Sequence, residues 1–249
     1  YSPLPHIVDG KEAARPGSIK LNSQLDDNIA VKWNTGNSQE IENVFNSADK
    51  VVKLTVQNQR IVTNPMEPRG IVAEWNISTG RYTLYGSSQN IHVMRTCVAD
   101  MLGVAEALVR FIAPDVGGGF GSKNFCYTEY GLIAWMSKQL RRPVKWIASR
   151  SEGFLSDHQG RDHQSEVQLA LGKDGKFLAL KVMSYANLGA YLVGSAGGVQ
   201  VVQYANLPGT VYNVPVIELK ILGVLTNTTP IGVFRGPGYA EANLIIERI

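Results

Sequence analysis

The sequence predicts an α+β fold with mixed and antiparallel sheets and interspersed helices, and three observations carry that prediction. Apolar and polar residues alternate with a period of two along several runs, two such pairs of runs meet at short glycine turns, and helical periods lie between them. The strict strand-helix-strand rhythm of a doubly wound parallel sheet is absent.

Taken in order, residues 1–40 ("YSPLPHIVDGKEAARPGS…") are polar and proline-punctuated, which predicts a linker or extended arm from a preceding domain. Regular structure is expected from near Glu40, within one domain spanning 41–249. "VVKLTVQNQRI" alternates as a strand, and "IVAEWNISTGRYTLYG" reads as a hairpin turning at Ser-Thr-Gly. A helix is expected from His92 to about Leu102, a strand over Val109 to Ala113, and a helix from Asn124 to about Leu140, closed by Arg141-Arg142-Pro143. "VQLALGKDGKFLALKVMSYANLGAY" predicts a second hairpin turning at Lys-Asp-Gly-Lys, and a last helix begins at Tyr239. The chain starts without Met and stops at "IIERI" without a helix stop signal, so a piece of a longer protein is expected.

Composition narrows the function classes. With 44% hydrophobic and 18% charged residues, the 249-residue chain is ordinary for a folded protein and too apolar for a disordered one. Its net charge of +3 comes from well-mixed basic and acidic residues without a basic block, which argues against a nucleic-acid partner. Two cysteines, Cys97 and Cys126, are too few for a disulfide scaffold or for a protein-ligated zinc or iron-sulfur site. No signal peptide or apolar spanning segment is evident, so a cytoplasmic location is expected and the Asn76 and Asn227 glycosylation patterns are read as chance.

The segment "DVGGGFGSK", Asp115 to Lys123, packs four glycines and one aromatic into nine positions. Glycine costs conformational entropy, so the run implies positive φ or a backbone approached closely by another group, and a large ligand is the favoured reading. The spacing fails the P-loop template and also the Gly-x-Gly-x-x-Gly dinucleotide fingerprint, which weighs against a plain nucleotide-binding protein. "YGSSQN" and "FRGPG" also lead small residues toward predicted helices. Helix N-termini favour oxyanions, so three such entrances predict convergence on one anionic group, with Ser88 and Ser122 as candidate caps.

Five ordered blocks, "NPMEPRGIVAEW", "SSQNIHVMR", "IAPDVGGGFGSK", "RRPVKWIASRSEGFLSDHQGRD" and "GVFRGPGYAEAN", resemble signatures of one family. It is the molybdenum-binding large subunit of xanthine dehydrogenase, aldehyde oxidase and aerobic carbon monoxide dehydrogenase. The resemblance covers the chain and implies an internal segment of that subunit, a molybdopterin-binding domain. It implies a molybdenum-molybdopterin cofactor, with or without an appended cytosine dinucleotide, whose metal is held by the pterin dithiolene. It also implies oxidative hydroxylation of an aldehyde or N-heteroaromatic substrate with water as oxygen source. Partners follow: the rest of the large subunit, a separate iron-sulfur subunit, and an FAD subunit. The general base is expected downstream of Ile249. A non-catalytic cofactor-binding fragment lacking that base is the alternative.

By the same resemblance, Gln89 donates its amide toward the metal's apical oxygen. Gly118, Gly119, Phe120 and Gly121 line the cofactor, with the Phe120 ring as a wall, and Arg235 and Gly236 bring a second loop to it. Asn124 stands where purine-oxidising members carry glutamate, and Pro237 where they carry a stacking aromatic, so a purine substrate is disfavoured. Gly236 replaces the copper-binding cysteine of carbon monoxide dehydrogenases, which excludes bimetallic chemistry. Arg161 is expected near the substrate funnel or exposed in a turn, and His158 and His163 are not expected to bind metal.

Overall fold

The computed structural model describes residues 2–205 and 211–249. In chain order the elements are α1 (Gly10–Ala13), β1 (Ile29–Thr35), α2 (Ser38–Ser47), β2 (Lys50–Asn58), β3 (Ile61–Val62), β4 (Gly70–Trp75), β5 (Tyr82–Gly86) and α3 (Ile91–Leu102). They continue with β6 (Val109–Ile112), α4 (Thr128–Leu140), β7 (Val144–Ile147), α5 (Arg150–Ser156), β8 (Gln159–Gly160), β9 (His163–Leu171) and β10 (Phe177–Gly189). The last three are α6 (Ala196–Ala205), β11 (Val216–Leu225) and α7 (Tyr239–Ile246). The chain forms two compact units, one from residues 1–61 and 159–249 and the other from 62–158. The fold is α+β with mixed sheets, as the alternation predicts.

The first unit is built on a five-stranded sheet in the order β1-β11-β10-β9-β2. Strands β9 and β10 form the expected hairpin, β2 adds antiparallel to β9, and β10 runs parallel to β11. Helices α6 and α7 bury Val201, Tyr204, Ala242 and Ile245 against Val167, Leu180 and Ile221 of one face. On the other face Ile41 of α2 seals against Ala170 and Ala179. Strand β11, "VIELKILGVL", alternates only over Ile217 to Ile221, with Glu218 and Lys220 between apolar neighbours, and then continues as an apolar run.

The arm expected over 1–40 contains built structure, which corrects the start of order from Glu40 to Gly10. Strand β1 pairs along β11 as the sheet edge, and α1 is capped by the Asp9 carboxylate. The polar sequence of β1 reflects that edge position, where several of its side chains meet solvent. Tyr1 lies outside the described residues. The stretch 41–249 contributes to both compact units, because the chain leaves the large sheet after Ile61 and rejoins it at Gln159.

The second unit is a four-stranded sheet in the order β6-β5-β4-β7, with β4 and β5 as the expected hairpin. Ile71, Ala73, Tyr82, Leu84, Val109 and Phe111 face inward and pack on Met94, Val98, Tyr130 and Ala134 of α3 and α4. These helices approach closely at Gly131, where a Cβ would meet the Met101 sulfur at 2.5 Å. Arg69, 1% exposed, pins strand to helices: it donates to Asp157 at 2.6 Å and to Glu129 at 3.2 Å, and its guanidinium lies 3.7 Å from the Tyr127 ring centre. Such a buried cation is tolerable only because both carboxylates and an aromatic face surround it. Among the described residues, no helix is long and apolar enough to cross a membrane.

Each unit buries one neutral histidine. His158 stacks on Tyr127 at 4.2 Å, and burial, reinforced by Arg69, pushes its pKa down to about 4. His163 is likewise pushed to about 4 by burial and by Arg161. Unfolded histidine titrates near 6.5, so between about 4 and 6.5 the unfolded chain binds more protons than the folded one. Stability is therefore expected to be steady above pH 6.5 and to fall as pH drops from there toward 4. Urea midpoints measured across this range check it, and His163→Gln should flatten part of the slope.

Candidate functional site

The glycine loop lies in the second unit, and its own backbone, not a helix, defines it. Helix α4 begins at Thr128, five residues after Lys123, because residues 119–127 are occupied by turns closed by Ser122 on Gly119 and Asn124 on Gly121. The helix expected from Asn124 is therefore four residues shorter, and this loop does not open onto a helix N-terminus. Ser122 is no cap: its hydroxyl donates back to the Gly119 carbonyl at 2.9 Å. Asn90 rather than Ser88 caps α3, its side chain accepting from Val93.

A carboxylate missed in the sequence holds the loop. Glu67, in the block preceding β4, accepts from the Gly117 amide at 2.8 Å, from the Ser87 hydroxyl at 2.6 Å and from Lys123 Nζ at 2.7 Å. Lys123 is fully buried and donates also to the Glu67 carbonyl at 2.9 Å. Burial works to raise the Glu67 carboxyl, but the bonds from Lys123, Ser87 and Gly117 outweigh it and hold its pKa below the ordinary range. With its charge consumed this way, Lys123 cannot serve a nucleotide phosphate.

Gln89 locks the other end of the loop. Its Oε1 accepts from the Gly121 amide at 2.8 Å, and its backbone amide donates to the Lys123 carbonyl at 3.0 Å. The Gln89 side chain lies directly over Gly119, where any Cβ would collide with it, and a Cβ on Gly117 would meet Glu67 at 2.5 Å. Gly118 has φ +94°, and a Cβ there would strike the Phe120 ring at 2.8 Å. Three glycines thus make room for protein side chains, which corrects the reading that a ligand alone demands them.

What remains open is a row of donors. The amides of Gly118, Gly119 and Phe120 have no acceptor among the described residues, and neither does Gln89 Nε2. Phe120 adopts φ +50° with its ring 43% exposed, so it is not a core aromatic. A left-handed non-glycine residue costs about 1–2 kcal/mol, which the flanking turn and the Gln89 bond offset. Consecutive free amides in such a turn make a concave donor surface for oxygen-rich groups, and an uncharged amide side chain adds to it. Asn124 is half-buried at the end of this turn.

Beside the loop, Glu67, Ser87, Tyr85, Pro114, Trp146 and Ile147 are among the residues lining a cleft of about 390 Å³ on the sheet face opposite α3 and α4. Among the described residues, no group of three or more His, Cys, Asp or Glu side chains is placed to hold a metal ion. A metal carried by an organic ligand and met by neutral donors fits these residues; a protein-ligated one does not.

In the first unit, the "FRGPG" loop is held by Arg161. This arginine is buried rather than exposed in a turn: its guanidinium donates to the carbonyls of Arg235 at 2.6 Å and Gly236 at 3.2 Å, and pairs with Glu241 at 3.4 Å. Arg161 and Asp162 both sit at positive φ, and Asp162 is fixed by Arg60 at 2.9 Å. The Arg235 side chain is exposed, Gly236 has φ +68°, Pro237 is half-buried, and α7 starts at Tyr239 as expected.

The comparisons with known proteins agree with this fold. The family model for the molybdopterin cofactor-binding domain matches residues 21–249. The nicotine 6-hydroxylase large subunit of Paenarthrobacter nicotinovorans is 29% identical over 98% of this chain and 30% of its own length. The carbon monoxide dehydrogenase large chain of Afipia carboxidovorans is 32% identical over 94% and 30%. The crystal structure of quinoline 2-oxidoreductase from Pseudomonas putida 86 superposes with a TM-score of 0.85 at 32% identity, covering 96% of this chain and 30% of that one. The fold is thus that of a molybdopterin cofactor-binding domain. The chain belongs to the molybdopterin cofactor-binding family of molybdenum hydroxylase large subunits and spans about a third of the length of the relatives it matches.

Glu67→Gln leaves Lys123 as a buried charge without its counterion. Loss of about 3–5 kcal/mol of stability is expected, together with faster amide exchange over Gly117–Ser122. Urea unfolding and hydrogen exchange check both; unchanged exchange would show that Glu67 does not position the loop.

Proposed function

We propose that this chain forms part of the cofactor wall of a molybdenum hydroxylase that oxidises an N-heteroaromatic or aldehyde substrate, with water as the oxygen source. One observation carries the reading: Gln89 is oriented by the Gly121 amide so that only its Nε2 donor remains free, next to the unbonded amides of Gly118, Gly119 and Phe120. The bound molybdenum-molybdopterin supplies the two-electron oxidation chemistry. This chain's part is to orient it. Gln89 offers a neutral donor fixed before binding, and pre-oriented donors cost little reorganisation when charge develops. Phe120 shields one side with its ring, while Gly118 to Gly121 keep the backbone low enough for a bulky ligand to approach.

The names nicotine 6-hydroxylase and quinoline 2-oxidoreductase belong to enzymes of N-heteroaromatic compounds and favour that substrate class here. Asn124 and Pro237 in place of a glutamate and an aromatic disfavour a purine, and Gly236 in place of a cysteine disfavours copper chemistry. We assign Arg235 and Gly236 to the cofactor or substrate side through their loop, and the protein to the cytoplasm. The general base is assigned to a residue beyond this segment: Glu67 and Glu241, the carboxylates at the two loops, are each paired to a buried cation. Electrons leave through a separate iron-sulfur subunit and then an FAD subunit. Whether the pterin carries a cytosine dinucleotide would be read from the extracted cofactor.

Metal and pterin analysis of the purified complex should find both in stoichiometric amount. Gln89→Leu should keep the metal while lowering turnover by roughly ten- to a thousandfold, the range for one lost positioned donor. Wild-type turnover in that variant would remove Gln89 from the site. Gly119→Val cannot fit beneath Gln89 without shifting the loop backbone and its free amides, so it should lower metal content itself; full occupancy would show that the loop does not face the cofactor.

A further inference from the structure

Cys97 and Cys126 are the two cysteines of the sequence, and the fold brings them together. Cys97 lies on α3, and Cys126 two residues ahead of α4. The two helices are in contact where Gly131 accommodates Met101. Cys97 sits one helical turn before Met101, and Cys126 five residues before Gly131, so both thiols fall at the same end of that contact. Cys126 packs on the same core as Met94 and Val98 of α3, its Sγ 3.6 Å from the Tyr127 carbonyl. Both are free and half-buried, within reach of a small reagent.

We propose that Cys97 and Cys126 form a reversible dithiol-disulfide site that is oxidised by low-molecular-weight disulfides. The Cys97 thiolate attacks one sulfur of the small disulfide and releases one small thiol. The Cys126 thiolate then displaces the second, so that the protein loses two protons and two electrons and the oxidant becomes two thiols. Cys97 is the attacking group because burial raises its pKa less than that of Cys126, which burial and the neighbouring thiol push up to about 12. Asp100 adds to the rise at Cys97, so the exchange should be slow at neutral pH and faster in mild alkali. The bond would tie the start of α4 to α3, the helix that begins just after Gln89, and so fix the two segments that hold the glycine loop. This inference does not depend on the cofactor reading.

The purified protein is incubated at pH 8.5 with oxidised glutathione, alkylated, digested with trypsin and mapped by mass spectrometry. Joined peptides Thr96–Arg110 and Asn124–Lys138 are expected, disappearing on reduction with dithiothreitol and absent from Cys97→Ser. Formation should be slower at pH 7. Either of two results overturns the proposal: both cysteines recovered as alkylated thiols, or each recovered only as its own glutathione adduct without the cross-link. Since the map is made on the unsubstituted protein, poor folding of a variant would not obscure it.

Discussion

Lys123 is a fully buried cation whose counterion is Glu67, and the shape of the glycine loop depends on that pair. An ammonium group placed in a protein interior loses its hydration, a cost met only if a carboxylate and further acceptors replace the water. Glu67 provides both, through its side chain and its own carbonyl. The same carboxylate then fixes the Gly117 amide and the Ser87 hydroxyl, so one charge pair ties the loop to the strand leading out of β5. Screening by salt would loosen a surface pair; this one is shielded on its cationic side and keeps its geometry.

The first unit solves a comparable problem with different chemistry. Arg161 reaches three successive carbonyls, those of Phe234, Arg235 and Gly236, and a planar fork is suited to that where a single ammonium is not. Glu241 balances its charge from inside α7. Left-handed backbone at Arg161 and Asp162 is the conformational cost of bringing the guanidinium under the loop, and the Arg60–Asp162 pair helps to retain it. In both units, a buried cation is held by a carboxylate and by backbone carbonyl oxygen beside the loop. Rigid support of that sort lets a loop present donors without first collapsing on itself.

How much of this was legible depends on what each residue packs against. The hairpins β4/β5 and β9/β10 alternate cleanly, and the sequence locates them to within a few residues. Strand β11 was not foreseen because its alternation is confined to Ile217–Ile221 and has no turn signal pairing it with a neighbour in sequence, and β1 was not because an edge strand keeps polar side chains. Gln89, Gly119 and Phe120 were singled out from the blocks around them, and the structure brings them together at one loop. Glu67 and Lys123 were in plain view in two of the same blocks, "NPMEPRG" and "GFGSK", yet nothing local marks a pair separated by more than fifty residues. The enclosure of Arg161 was missed for a related reason. A basic residue in a short polar turn reads as exposed or substrate-facing, and only the long-range approach of residues 234–236 shows that it is enclosed.

A run of glycines is commonly read as space left for a ligand, and here that reading is half right. Gly117, Gly118 and Gly119 each make way for a side chain of the protein: Glu67, Phe120 and Gln89. Those three side chains are the ones that shape the loop, so the absence of Cβ atoms serves preorganisation first. On the proposed reading, a ligand's share would be electrostatic. Once Glu67 and Gln89 have taken the amides at the two ends, Gly117 and Gly121, the three amides between them are left without partners, and a folded chain tolerates such unpaired donors only where water or a bound group can reach them. Glycine content alone would therefore not have distinguished a cofactor loop from a tight turn. The distinction lies in which amides the protein satisfies itself and which it leaves open.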